Sequence, residues 1–423
     1  MERWIPILGL LVMLGTAWTL SAHRRRFPWR IVLVGLAMQF ALAVIVLRVP
    51  AGKVFFEWVG NIFTALLDCV DQGAGFVFGT SVVETSYGPT PAFKIHFVAF
   101  KVLPTIIFFS SLMSILYYVG IMQWVVGGIS QVMQKTLGTS GAETLSTAGN
   151  IFVGQTEAPL LVRPYLNTMT NSELMAVMVG GFATIAGGVM AAYVGMGIST
   201  VHLLSASLMS APAALVVAKI MQPEVDKPLT LGKVEVTPPM EATNIIDAAA
   251  RGASDGLHLA LNVGAMLIAF LGLIFMFDSL LGYLTETISY RMTGQGHRIT
   301  FTQITGYISA PFAWLMGIES KDCFVAGEIL GTRIVGNEFI AYSSMNAESN
   351  PAFAGVSERT KTILTYALCG FANIGSIGIQ LGGLGPLAPD RREALVKLGL
   401  RAMIGGLLAC YMTACIASLF IDV

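Results

Sequence analysis

Residues 140–166, SGAETLSTAGNIFVGQTEAPLLVRPYL, hold two apolar half-segments separated by the polar run Gly154-Gln155-Thr156-Glu157. A membrane-crossing helix needs about 20 predominantly apolar residues, so neither half spans a bilayer, and the pattern predicts a re-entrant hairpin. A second broken segment, 322–342, carries Glu328, Arg333, Asn337 and Glu338. Each hairpin precedes one copy of an internal repeat, because Gly181-Phe182-Ala183-Thr184-Ile185 recurs 189 residues later as Gly370-Phe371-Ala372-Asn373-Ile374. Small residues follow both copies: Ala186-Gly187-Gly188 in the first, Gly375-Ser376 and Gly378 in the second. Glycines there permit a helix to unwind in mid-membrane. The expected fold class is an all-α polytopic membrane protein with inverted repeats, discontinuous helices and interfacial helices. That arrangement marks secondary transporters whose site lies near the bilayer midplane.

Composition agrees. Of 423 residues, 55% are hydrophobic and 12% charged, against about 25% charged in soluble domains, and the mean hydropathy is +0.72. Lys+Arg and Asp+Glu number 25 each, which leaves no basic excess for nucleic acid and no acidic tail. The 45 glycines suit close helix packing in lipid. Cys69, Cys323, Cys369, Cys410 and Cys415 have neither paired nor metal-like spacing, so neither a disulfide framework nor a zinc site is expected.

Around the hairpins, spans are expected at 4–22, 31–47, 95–118, 174–193, 201–221, 257–284, 362–380 and 395–420, eight in all. Residues 54–67, too short to cross and rich in aromatics, read as an interfacial helix, and 71–91 as a polar connection. Residues 304–316 form a short aromatic segment, and 222–241 a solvated loop. The first apolar run precedes its cations Arg24, Arg25, Arg26 and Arg30, the reverse of a signal peptide, so it reads as a retained helix. This count puts 24–30, 222–256 and Arg391-Arg392 on one side, which the positive-inside rule makes cytoplasmic. The first hairpin then enters from the cytoplasm and the second from outside. The expected domains are scaffold helices at 1–120, a first transport repeat at 121–221, a cytoplasmic loop and short helix at 222–256, a scaffold span at 257–290, and a second transport repeat at 300–423.

Glu157 and Glu338 would each cost ~2.5–3.5 kcal/mol at membrane depth unless water, a cation or a ligand reaches them. Glu157 has a plainer reading: it begins a helix after a Thr156 cap, with Pro159 in its first turn. The functional reading is that an acceptor-only carboxylate selects a donor-rich solute such as the vicinal hydroxyls of a sugar, at ~1.5–3 kcal/mol per charge-assisted hydrogen bond. Gln155 pairs an acceptor and a donor on one side chain, matching a heterocyclic base edge. Asn373 and Ser376, three apart, would share one helix face, and Val189 and Phe371 would wall the site. Asn150 and Thr184 offer oxygens for a cation beside breaks that free backbone carbonyls. Lys101 reads as a snorkelling or structural cation. His96, His202 and His258 fall on separate spans, with proton relay as the alternative to packing.

At these residues the chain resembles the concentrative nucleoside transporter family. The matching stretches are Gly149-Asn150-Ile151-Phe152-Val153-Gly154-Gln155-Thr156-Glu157-Ala158-Pro159, Asn337-Glu338-Phe339, Gly370-Phe371-Ala372-Asn373-Ile374-Gly375-Ser376 and Phe100-Lys101-Val102-Leu103-Pro104. The likeness covers nearly the whole chain, and the length is that of a bacterial member. It implies a homotrimer in the cytoplasmic (inner) membrane, in contact with lipid and not with nucleic acid. Each protomer would have a scaffold and a mobile transport domain. It implies a transporter and not an enzyme, importing nucleosides such as uridine with sodium, or with protons in some members; sodium would serve as coupling ion, with no other cofactor. Carried over by position, Gln155, Thr156 and Val189 would contact the base. Glu157, Glu338, Asn373 and Ser376 would hold the ribose, with Phe371 beside sugar and base. Asn150, the Val153 and Ile185 carbonyls and Thr184 would hold sodium. Many relatives carry serine at the last position; threonine keeps the oxygen and adds a methyl group.

Overall fold

In lipid every backbone N–H and C=O must find a partner within the protein, so uninterrupted apolar runs become helices, and a break is tolerated only where protein or a water-filled cavity surrounds it. A computed structural model describes residues 4–78, 98–230, 242–345 and 350–421. The helices are α1 (Ile5–Thr19), α2 (Trp29–Leu47), α3 (Pro50–Phe78), α4 (Val98–Tyr118), α5 (Ile121–Leu137), α6 (Gly141–Gly149), α7 (Asn171–Ala183), α8 (Gly187–Gly195) and α9 (Thr200–Met221). They continue as α10 (Ile245–Thr293), α11 (Phe301–Leu315), α12 (Cys323–Val335), α13 (Glu338–Ser343), α14 (Glu358–Leu368), α15 (Ile374–Leu387) and α16 (Arg392–Ser418). Among the described residues there are no strands. The all-α reading therefore holds.

Both hairpins and both broken spans form. The first hairpin is α6, a turn, and a 3-10 segment Ala158–Thr168; the second is α12, a break at Gly336-Asn337, and α13. The repeat persists in the backbone. Thr184 ends α7 with φ −126° and ψ 165°, and the matched Asn373 opens α15 with φ −136° and ψ 164°. Both residues leave helical geometry at the same register, so each span divides into two half-helices.

Several sequence expectations are corrected. Residues 54–67 are part of the 29-residue α3, which also takes in the start of the expected polar connection 71–91; residues 79–91 of that connection lie outside the described residues. The start of the 95–118 span and His96 lie outside them as well, as do 231–241 of the expected solvated loop. The side chain of Lys101 is also not described. No separate short helix precedes the 257–284 span, because α10 runs unbroken for 49 residues. At 1.5 Å per residue it reaches about 74 Å, well beyond a hydrocarbon core of about 30 Å. Helix α5 had no expected counterpart: with Lys135 and three glutamines among its apolar residues it reads as amphipathic, and it turns 79° from α4. By length and composition, five described helices qualify as spans, or six if that bent pair counts as one; α1 and α15 are apolar but shorter. The expected eight include those two short helices.

Burial sorts the helices. In the 171–195 segment 89% of the apolar window is buried, against 6% in the 271–292 part of α10. A helix apolar all round and buried belongs to a packed interior, so α7, α8, α9 and α16 make the core while α10 presents an apolar flank outward. Gly252 and Gly256 let α10 lie against α4, since a Cβ on Gly256 would sit 2.8 Å from Ile107 Cα and from Ser110 Cβ.

The ends of the helices fix the topology. Arg401 donates to the Leu20 carbonyl (3.1 Å) and the Met221 carbonyl (2.8 Å), and Arg391 to Asn171 Oδ1 (2.6 Å). The base of the first hairpin lies at this same end: Lys219 pairs with Glu143 at 2.6 Å, and Ser140 donates to Glu173 at 2.6 Å. The second hairpin starts at the other end, where Thr360 donates to Asp322 (2.8 Å) and Arg359 to the Ile421 carbonyl (2.6 Å). The hairpins thus enter from opposite ends, as inverted repeats require.

Candidate functional site

The four breaks meet. Gln155, Thr156 and Glu157 from the first hairpin, Val189 from α8, Glu338 from the second hairpin, and Phe371, Asn373 and Ser376 from the second broken span all line one cavity of about 720 Å³, part of it open to solvent. Leu259 and Val263 of α10, Gly336 and Ile379 also line it. All eight residues expected to contact the solute are brought together here.

Each polar group is set by local structure. Asn337 caps α13 by accepting from the Ile340 N–H at 2.9 Å, which places Glu338 in the first helical turn. Glu338 is buried, and its carboxylate accepts from Tyr193 Oη (3.1 Å) and Asn373 Nδ2 (2.9 Å). Asn373 does not share a helix face with Ser376. It is the N-cap of α15, its Oδ1 accepting from the Ser376 N–H at 2.8 Å while its amide donates to Glu338. Its side chain is thereby held from both sides, because an N-cap needs an acceptor at that position.

Glu157 differs. It faces the cavity and is exposed there. Thr156 is not a cap: its hydroxyl donates to Glu157 Oε1 at 3.0 Å, and Glu157 itself precedes the 3-10 segment with Pro159 in its first turn. Gln155 is buried, with no hydrogen-bond partner for Oε1 among the described residues. A buried amide oxygen without a partner beside a cavity is a group awaiting a ligand or water.

Behind the cavity the two breaks of the first repeat touch. The Gly187 N–H donates to the Phe152 carbonyl (2.9 Å), and Thr184 Oγ1 to the Gly180 carbonyl (2.8 Å). A Cβ on Gly180 would lie 3.3 Å from Asn150 Nδ2, so Asn150 and Thr184 flank one glycine. Asn150 Oδ1 is buried without a partner among the described residues. An orphaned oxygen beside unwound backbone suits a hard cation, which takes oxygen ligands.

Three site features escaped the sequence reading. Tyr193 supports Glu338 from α8. Arg333, fully buried, donates to the Ala367 carbonyl (2.5 Å), the Gly370 carbonyl (3.1 Å) and Cys410 Sγ (3.2 Å). Gln380 donates to the Met178 carbonyl at 3.0 Å. Met178 and Ala367 are themselves 189 residues apart, so the matched carbonyl of each first half-helix is held by a side chain from the second half of the protein. Extending the repeat alignment three residues upstream finds those carbonyls but not their partners.

The two pentapeptides also meet at Gly370. A Cβ there would lie 2.7 Å from the Phe182 carbonyl oxygen and 2.8 Å from Cys410 Sγ. Gly370→Ala is expected to destabilise by about 1–3 kcal/mol through overpacking, read as a lower melting temperature in detergent. An unchanged melt would show that the contact yields without cost.

His202 contacts the Tyr366 hydroxyl at 3.2 Å and His258 the Ser254 carbonyl at 2.8 Å, on separate helices. The buried cysteines are free. Among the described residues no group of histidine, cysteine and carboxylate side chains could hold a metal ion.

Comparison with known proteins follows the same lines. Residues 202–418 match the family description "Na+ dependent nucleoside transporter C-terminus", residues 8–81 the corresponding N-terminus, and residues 99–200 a "Nucleoside recognition" gate. The chain is 42% identical over 433 residues to Solute carrier family 28 member 3 of Mus musculus, covering 100% of this chain and 59% of that protein. It thus spans about three fifths of the length of such animal relatives. It is 44% identical over 418 residues to an uncharacterized transporter of Haemophilus influenzae, covering 98% of this chain and 97% of the relative. The structure of CNTnw in an inward-facing substrate-bound state superposes with a TM-score of 0.89 at 40% identity, covering 99% of this chain and 98% of that one. On the opposed hairpins, the paired breaks and these likenesses together, the chain belongs to the Na+ dependent nucleoside transporter family, the concentrative nucleoside transporters.

Proposed function

We propose that the chain is a sodium-coupled symporter that imports nucleosides across a cytoplasmic membrane by alternating access. The observation that carries this reading is the convergence of four breaks on one cavity, lined by two carboxylates and by Gln155, whose buried Oε1 has no partner among the described residues. Glu338, Glu157, Asn373 and Ser376 hold the ribose, Gln155, Thr156 and Val189 the base, and Phe371 packs beside both. Sodium is taken by Asn150, Thr184 and the carbonyls of Val153 and Ile185, next to the site, so that the ion orders the first hairpin that presents Gln155 to Glu157. The transport domain comprises 121–221 and 300–423, and it moves past a scaffold of 1–120 and 257–290. The outward apolar flank of α10 supports trimer contacts through that scaffold.

The energetics suffice. One cation crossing ~100 mV supplies ~2.3 kcal/mol, and a tenfold ion gradient adds ~1.4 kcal/mol, enough for accumulation of several hundredfold. In proteoliposomes, replacing sodium by choline at constant pH and voltage is expected to abolish uridine uptake. Uptake that ignores sodium and follows the pH gradient would assign the coupling to protons instead.

A further inference from the structure

Beside the cavity that holds Glu338 lies a second one, of about 860 Å³, partly open to solvent, between the first hairpin and the α4–α10 pair. Glu157 and Leu259 border both cavities. Asp255 of α10 and Tyr117 of α4 also line it. Tyr117 is buried, and its hydroxyl has no hydrogen-bond partner among the described residues. Met113 and Phe152 supply apolar surface.

We propose that this chamber is a second, transit site for the nucleoside, in which Asp255 and the Tyr117 hydroxyl engage the sugar before or after Glu157 does. The proposal rests on the nucleoside reading of the first cavity. The chemistry of the walls selects the ligand. Two carboxylates from different elements, Glu157 of the hairpin and Asp255 of α10, line one space, and acceptor-only groups call for a ligand rich in donors. A coupling cation would not need apolar walls, whereas a nucleoside uses both kinds of surface, the carboxylates for its sugar and Met113 and Phe152 for its base.

The position of Glu157 gives the order of events. It is the one carboxylate common to both cavities, so a ribose can leave Asp255 for Glu157 without a stage at which its hydroxyls lack acceptors. Asp255 and Tyr117 sit on helices packed together through Gly252 and Gly256, while Glu157 belongs to the hairpin. When the hairpin moves relative to that pair, the hand-over is broken and the solute travels with Glu157.

The test separates transit from tight binding. Full-length Asp255→Asn and Tyr117→Phe are compared with wild type for equilibrium uridine binding in detergent and for initial uridine uptake in proteoliposomes. Removing one charge-assisted hydrogen bond from a transit site is expected to slow Asp255→Asn uptake by roughly tenfold. Its equilibrium Kd should stay within about threefold, since the final site is intact and the binding measurement itself reports folded protein. Tyr117→Phe should show the same split with a smaller loss, and Asp255→Glu should recover most of the rate. Kd and uptake falling together would place Asp255 in the main site, and uptake unchanged in both variants would remove the transit site; either overturns the proposal. Wild-type protein that binds no uridine would overturn the function beneath it, a result distinct from both.

Discussion

Glu338→Gln is expected to weaken uridine binding by about 3 kcal/mol or more, two decades in Kd, while leaving uracil binding within about threefold. The size follows from what glutamine takes away. The carboxylate accepts from Tyr193 Oη and Asn373 Nδ2, and its remaining lone pairs are the acceptors that ribose hydroxyls would use. Glutamine keeps one oxygen and turns the other acceptor into a donor, which either opposes the Asn373 amide or is accepted by Tyr193 only if that hydroxyl turns its own proton away. The result is a lost charge-assisted bond to the sugar, worth ~1.5–3 kcal/mol each, together with one buried donor left without its acceptor. Free base lacks the sugar and loses neither. Calorimetric titration of uridine and uracil decides the matter: equal losses would mean that Glu338 does not read the ribose.

Arg333→Met carries the second large effect, expected at about 2–5 kcal/mol of stability because two buried carbonyls lose their donor, with nucleoside affinity falling as well. The guanidinium is fully buried and belongs to no ion pair within 4.0 Å among the described residues. Its partners are the carbonyls of Ala367 and Gly370 at the break between α14 and α15, where helical donors run out. A cation is favourable at the C-terminal end of a helix, and here it satisfies carbonyls that lipid cannot. Arg333 and Glu338 are unlike charges buried on the same hairpin, and unlike charges attract more strongly where water is excluded. Methionine fills the volume but leaves carbonyls unpartnered and a carboxylate without its counter-charge. Thermal unfolding and uridine titration of Arg333→Met, Arg333→Lys and the Arg333→Met/Glu338→Gln double variant test this. A purely packing role predicts additive losses; electrostatic support predicts that the double variant loses less than the sum. Wild-type melting and binding in Arg333→Met would refute both.

The hairpins, the broken spans and their inverted relation were legible because each is a disturbance of hydropathy: a polar quartet inside an apolar run, or a repeated pentapeptide followed by small residues. The lining of the cavity was legible for a related reason. A carboxylate at membrane depth is expensive, so Glu157 and Glu338 announced themselves. Two kinds of feature were hidden. Helix length was one, since α3 and α10 continue through polar residues that hydropathy treats as loop. The other was the division of labour within the site. Asn373 looked like a free solute contact, yet its side chain caps α15 and braces Glu338, and Tyr193, Arg333 and Gln380 act across distances along the chain that no local pattern encodes.

The sequence by itself determined that this protein lives in lipid, that its spans are interrupted twice in the same way, and that two glutamates must meet something polar there. Those conclusions follow from transfer free energy, a property of residues taken in order. Only the tertiary structure decided that the four interruptions converge on one cavity, that Glu338 is braced while Glu157 faces open space, and that a second chamber adjoins the first at Glu157. Those depend on which half-helix ends are left without partners once the bundle packs, and on which side chains, often more than a hundred residues away, fold back to satisfy them.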